Sequence, residues 1–159
     1  MNHELIPALA THKDILNNLM QFYIYDFSGY VNCDVEENGM FKPYPGLDDY
    51  WKEEQDKFPY VLKKEGKYIG FALVKRKYPG INSYSIAEFF IMNKYRKEGI
   101  GKAVANQLFN LYKGEWEVHQ RKNNLPAQDF WQKVINEYTG GKFSDQFVND
   151  RRIQNFRNQ

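Results

Sequence analysis

Hydrophobic and polar positions change period several times along the chain, and each change marks a predicted element. Residues 5–10 are short and apolar and predict a first strand. Thr11 reads as a helix N-cap with Asp14 at the capping-box spacing, and Ile15, Leu16, Leu19, Phe22 and Tyr23 follow at helical spacing. The period then fails. Residues 28–47 hold Gly29, Gly39, Pro43, Pro45 and Gly46, and predict a long irregular stretch rich in acids and aromatics. Long loops in compact domains are often functional. Residues 47–57 predict a short second helix. Residues 60–63 and 67–75 flank Glu65-Gly66 and predict a hairpin.

The second half is more regular. Tyr78-Pro79-Gly80 is a break, and residues 83–92 form a strand whose end, 89–92, is continuously apolar. A continuous run predicts burial on both faces, as in a central strand. Residues 99–111 predict a helix with Ile100, Ala103, Val104, Leu108 and Leu111 on its apolar face. Residues 116–120 alternate as a strand does. Pro126 suits the start of a helix running to Tyr138. Gly140-Gly141 breaks the chain before a last strand or hairpin through Phe147 and Val148. The order is mixed α/β, with a strand-loop-helix unit in its second half.

Composition narrows the setting. The 159 residues suit one domain, 1–159, and no linker or repeat divides them. Aromatic residues reach 17%, so a modest apolar count still closes a core. A net charge of +2 with both signs well mixed argues against a nucleic-acid partner. Residues 151–159 carry three arginines and no acid, and read as a solvated end of the fold. The longest apolar run, residues 68–74, is too short to span a bilayer. The first residues lack a cationic stretch leading into an apolar one, and Cys33 has no second cysteine to pair with. Both point to a cytoplasmic protein with no membrane partner.

The strand-loop-helix unit carries the chemistry. The strand leads through Asn93-Lys94-Tyr95 to Arg96, Lys97, Gly99, Ile100, Gly101 and Lys102, where a helix begins. Helix-start amides are unsatisfied and point outward, and with the helix dipole they suit a pyrophosphate. Gly99 and Gly101 let a ligand approach the main chain, and Arg96, Lys97 and Lys102 add positive charge. The spacing is neither the nucleoside-triphosphate P-loop nor the dinucleotide fingerprint.

Arg-x-x-Gly-x-Gly between a strand and an amphipathic helix resembles the acetyl-CoA signature of the GNAT superfamily of N-acetyltransferases. Asn124-Leu125-Pro126-Ala127-Gln128-Asp129-Phe130-Trp131 is similar to a second segment of that family. The resemblance implies an α+β fold: a mostly antiparallel central sheet of about six or seven strands with about four helices. In it, a splayed pair of parallel strands forms the CoA cleft. It further implies that acetyl-CoA is the co-substrate and that no metal takes part. The pantetheine arm would lie along the backbone of Phe89, Phe90 and Ile91, and Asn124 would reach it by its side chain. The alternative for Asn124 is a turn or cap residue.

Acyl transfer to an amine needs a base, stabilisation of the thioester oxygen and a way for the thiolate to leave. Glu88 on the central strand is the candidate base, its alternative being a surface or ion-paired carboxylate. His119 is a second candidate, its alternative a structural histidine. The family often carries a tyrosine acid where this chain has Trp131, and indole N–H only donates a hydrogen bond. Either the thiolate leaves unaided or through water, or Tyr138 or another tyrosine serves, with Trp131 shaping the thioester end of the cleft.

The acceptor would be a small-molecule amine or a protein amino group. Asp34, Glu36, Glu37, Asp48 and Asp49 could attract it, with Tyr30, Phe41 and Tyr44 as walls, or these acids simply form a solvated loop. A non-catalytic acyl-CoA-binding or sensing domain of the same fold is the competing reading. Exposed edges after Gly140 leave room for a homodimer, by family analogy alone.

Overall fold

The computed structural model of the chain describes residues 2–159. It has seven strands: β1 (His3–Pro7), β2 (Lys57–Lys64), β3 (Lys67–Arg76), β4 (Ser83–Ile91), β5 (Gly114–Arg121), β6 (Ser144–Val148) and β7 (Arg151–Asn158). The helices are α1 (Lys13–Val31), α2 (Asp49–Lys52), α3 (Ile100–Leu111) and α4 (Leu125–Thr139). The strands hydrogen-bond in the order β1-β2-β3-β4-β5-β7-β6, with β4 and β5 parallel. This is the mixed sheet with a parallel pair that the family resemblance implies. The chain divides into two compact units, Met1–Leu73 with Glu88–Arg96, and Val74–Ala87 with Lys97–Gln159. β3 and β4 each contribute to both.

In the first unit, β1 pairs antiparallel with β2, and Glu65-Gly66 turns the chain into β3 with φ of 51° and 76°. Two left-handed residues are what a tight hairpin turn demands. α1 buries Leu16, Leu19 and Met20. Thr11 is not its cap. Residues Ala10–His12 form a single 3-10 turn in which His12 Nδ1 accepts the Leu9 N–H at 2.9 Å, and the helix starts at Lys13. Nor does the chain become irregular at residue 28. α1 runs on through Gly29 to Val31 and ends at Asn32, whose φ is 50°. Tyr23 stacks on Phe27 and Phe27 contacts Tyr30, at 5.7 and 6.3 Å between ring centres. These one-turn contacts extend the helix past a residue of poor propensity. The second helix is a single turn, because Glu53 leaves helical geometry and Lys57 enters β2.

In the second unit, Trp116 is fully buried between Phe109 and Phe156. β5 alternates cleanly, with Gly114, Trp116, Val118 and Gln120 inward. Residues 151–159 are not a solvated end. β7 pairs with β5 on one side and with β6 on the other, burying Gln154 and Phe156. Gln154 has no exposure, and its amide exchanges hydrogen bonds with Gln120 at 2.7 and 3.1 Å. A satisfied amide pair removes most of the cost of burying two polar groups. β6 is exposed along its whole length, including Phe147 and Val148.

Candidate functional site

The loop after β4 is built to present backbone amides. Asn93–Tyr95 is one 3-10 turn, Lys97 takes a left-handed φ of 64°, and Gly99 caps α3 at φ 82°. Residues with side chains resist that region, and glycine does not. The first bond inside α3 runs from Ala103 N–H to Gly99 C=O at 3.1 Å. The amides of Ile100, Gly101 and Lys102 therefore have no helical partner. The Ile100 side chain is buried, which anchors this turn. Partial positive charge gathers at such a helix start and favours anions.

The three cations predicted for the loop have different duties. Lys97 is exposed. Arg96 is braced within the first unit: its Nε donates to Ile91 C=O at 2.7 Å and its guanidinium to Asp26 at 2.8 Å, over the Phe90 ring. Lys102 is paired with Glu137 on α4, and this hydrogen bond holds the Glu137 carboxyl below the usual carboxylate range.

The parallel pair opens early. Ser83, Tyr84 and Ser85 of β4 pair with Glu115, Trp116 and Glu117 of β5, and the ladder ends there although both strands continue. In the second unit, Ile86 and Ala87 on one side and Val118 to Gln120 on the other are left without this pairing. β5 keeps its other edge on β7 throughout. Backbone groups in an opened ladder need other partners, and a peptide-like arm can supply them. In the first unit, Phe90 and Ile91 are buried and Phe89 is half-buried.

Downstream residues divide less favourably. Asn124 is the N-cap of α4, with Oδ1 accepting the Ala127 N–H at 3.2 Å. Trp131 is 7% exposed and packs against Phe109 and Phe130, so its ring is part of the core. The Tyr138 hydroxyl donates to Asn110 Oδ1 at 2.8 Å and accepts from Asn158 Nδ2 at 3.1 Å. Asn110 lies near the C-terminal end of α3, about 15 Å of helix from Ile100. Tyr138 thus sits at the opposite end of α3 from the free amides. His119 faces solvent on β5. Partial burial of its ring keeps its pKa below the ordinary value; Glu117 opposes this, and Arg151, Lys75 and Lys77 add to it.

Glu88 has the most developed surroundings. In the first unit, Tyr23 of α1 donates its hydroxyl to Oε1 at 2.5 Å, and Tyr44 donates to Oε2 at 2.7 Å. Burial, then the Glu88 charge, then these hydrogen bonds push both phenols well above their usual pKa, so both remain donors through neutral pH. Burial also raises Tyr50, with Glu88 as the next cause. The loop that brings Tyr44 is held to α1 by Gln21. Its side chain donates to Phe41 C=O at 3.0 Å and accepts the Phe41 N–H at 2.9 Å. A pocket of about 410 Å³ opens here, walled by Ile24, Cys33, Asp34, Phe41, Tyr44 and Pro45.

The chain alone presents Tyr44 only as a wall, and Tyr23 only as a helix-face residue. Their common partner lies 44 and 65 residues away. A phenol rather than a phenyl ring on a buried face is the one local hint, because buried tyrosines seek a polar partner. Among the described residues, no group of three or more His, Cys, Asp or Glu could hold a metal ion, and no helix is long and apolar enough to cross a membrane.

Residues 19–135 match the model of the acetyltransferase (GNAT) family. The chain is similar in structure to an acetyltransferase from Thermus thermophilus, with a TM-score of 0.72 at 12% identity, covering 99% of this chain and 97% of that one. It is also similar to the PaiA N-acetyltransferase from Thermoplasma acidophilum in complex with coenzyme A, with a TM-score of 0.68 at 13% identity and 99% of each chain covered. A spermidine N-acetyltransferase from Vibrio cholerae, in complex with CoA and spermine, gives 0.65 at 12% identity over 99% of this chain and 96% of that one. No curated protein sequence matches the chain.

Proposed function

The chain belongs to the GNAT acetyltransferase family, and on that premise we propose that it transfers an acetyl group from acetyl-CoA to a primary amine of a small molecule or a peptide. The observation that carries the reading is the row of unpartnered amides at Ile100, Gly101 and Lys102 behind the left-handed Gly99. The tyrosine-held carboxylate of Glu88 adds a candidate base. The whole chain, 1–159, then works as one acyltransferase domain.

In this reading the amides from Lys97 to Lys102 hold the pyrophosphate of CoA. The opened β4–β5 ladder and the backbone of Phe89, Phe90 and Ile91 hold the pantetheine arm. Asn124 contributes less than its motif suggests, because its oxygen already caps α4. Arg96 acts by bracing the loop to Ile91 and Asp26.

The amine must attack as a neutral nucleophile. Glu88 takes or relays its proton as the C–N bond forms and the C–S bond breaks. Tyr23 and Tyr44 fix the carboxylate by one oxygen each, which keeps its orientation at low entropic cost. The departing thiolate takes its proton from water, since Trp131 has none to release. The acceptor enters by the pocket at Tyr44, where Asp34 is the charged wall and Phe41 the aromatic one. The V. cholerae relative in complex with spermine sets a precedent for an amine ligand in this fold.

A second reading is a non-catalytic acyl-CoA-binding or sensing domain. It is favoured by one observation: Trp131 is in the core, and Tyr138 is engaged with Asn110 and Asn158. Titrating acetyl-CoA by calorimetry, then following thiol release with an amine panel, separates the two. Binding with turnover supports the enzyme. Binding without turnover on any amine supports the sensor. No binding removes both.

A further inference from the structure

The pocket beside Tyr44 lies wholly in the first unit, and its charges limit what it can take. Of the acids at Asp34, Glu36, Glu37, Asp48 and Asp49, only Asp34 lines it. Asp48 and Asp49 are ion-paired with Lys13 and Lys57, at 3.6 and 3.9 Å. Glu36 and Glu37 are exposed and lie outside its wall. Lys42 lines the pocket as well, so the space carries one charge of each sign. Both Asp34 and Lys42 are exposed, and among the described residues no ion pair engages either. Ile24, Phe41, Pro43 and Pro45 make much of the remaining wall apolar.

A charge-balanced pocket does not concentrate polycations. A polyamine brings two or more positive charges, and here it would meet one acid and one opposing lysine. An apolar molecule with one positive and one negative group meets a counterpart for each part. Small-molecule sites commonly use apolar walls in this way, with a few polar groups to fix orientation. Tyr44 sets the orientation: it lines the pocket, and its hydroxyl donates to Glu88 at 2.7 Å. The reacting nitrogen therefore belongs at the Tyr44 side, and the body lies among the apolar walls.

We propose that the acceptor is an α-amino acid with a large apolar side chain, whose carboxylate is read by Lys42 and whose amino group is drawn in by Asp34. This rests on the acetyl-transfer reading above. The α-nitrogen forms the C–N bond as the C–S bond of acetyl-CoA breaks. The bonding pair leaves on the CoA sulfur, and the nitrogen's proton passes to Glu88. A pocket of about 410 Å³ suits a molecule of this size. A peptide N-terminus has no carboxylate beside its amine, and a polyamine has none at all.

The test measures kcat/KM with acetyl-CoA for L-phenylalanine, L-phenylalaninamide, glycine and spermidine. L-Phenylalanine should be the best of the four. Calorimetry with L-phenylalanine and its amide should give the same preference without turnover. In Lys42→Gln the preference for the acid over the amide should fall about two- to fivefold, the range of an exposed ion pair. Lys42→Glu should lower it further and improve spermidine. A ratio of two ligands on one variant is indifferent to any loss of folded protein. A wild type that handles any of the other three as well as L-phenylalanine, or a preference that neither variant moves, overturns the proposal. Acetylation of other amines but of none of these four also overturns it, and leaves the acetyl-transfer reading standing. No product from any amine ends that reading and this inference with it.

Discussion

Tyr44 meets Glu88 with one end and the pocket with the other: its hydroxyl donates to Oε2 at 2.7 Å, while its ring walls the space beside Asp34 and Phe41. In the proposed reading, a residue so placed couples the position of an acceptor to the orientation of the base. Tyr44→Phe keeps the wall and removes the donor. Hydrogen bonds to charged groups are worth about 1.5–3 kcal/mol. We expect kcat/KM for the amine to fall by about tenfold or more, with acetyl-CoA affinity unchanged. Steady-state kinetics and calorimetry check both halves.

Tyr23 is the buried partner of the same carboxylate, packed edge-on against Phe71 and Phe90. Its stability effect follows pH with a definite sign. Its folded pKa lies well above the ordinary phenol value of 10.0, and Tyr44 moves the same way. Below about pH 10 both the folded and the unfolded chain keep these protons, and the contribution is complete. Above it the unfolded chain releases them while the folded chain retains them, so stability falls as pH rises toward the folded values. Urea midpoints measured from neutral pH to beyond about pH 10 should decline, and the decline should be shallower in Tyr23→Phe. That variant should also lose about 1–3 kcal/mol at neutral pH.

How much can be read from residues alone depends on the range over which each feature acts. The loop from Arg96 to Lys102 is local: glycine spacing, a strand before it and a helix after it suffice to predict the α3 cap. The tyrosine clasp is hidden, because α1, the 33–45 loop and β4 supply its members from distant positions. The extent of α1 is hidden because Gly29 reads as a break, while the contacts that override it join Tyr23, Phe27 and Tyr30. Residues 151–159 read as solvated because they carry three arginines and no acid, and the burial of Gln154 among them is acceptable only once Gln120 is opposite it. The motif singles out Trp131 for the thioester, and its packing on Phe109 is a long-range contact that no local pattern announces.

Gly99 tests the amide row. An L-residue at φ 82° costs about 1–2 kcal/mol and tilts the first turn of α3. Gly99→Ala should lose that stability and weaken acetyl-CoA binding together. Gly66→Ala in the β2–β3 turn, at φ 76°, should lose comparable stability and leave binding unchanged. Urea unfolding with calorimetry on both variants distinguishes a cofactor effect from general weakening.

Gly70 tests the sheet in the first unit. A Cβ there would collide with the Phe90 carbonyl oxygen, a backbone atom that cannot rotate away. Close approach of strands is one of the reasons for glycine within a strand. Gly70→Ala should cost at least about 2 kcal/mol or fail to yield folded protein. A wild-type urea midpoint would mean that β4 is not held where the carboxylate clasp needs it.

The mass of the product decides whether the chain performs the proposed acetyl transfer. The purified chain is incubated with acetyl-CoA and a panel of small amines and peptides bearing free amino groups, and the mixture is analysed by mass spectrometry. We expect an N-acetylated product with at least one acceptor, reduced in Tyr44→Phe and abolished or nearly so in Glu88→Gln. Acetyl-CoA binding with no acetylated product from any acceptor, or product formed equally well by Glu88→Gln, would contradict it.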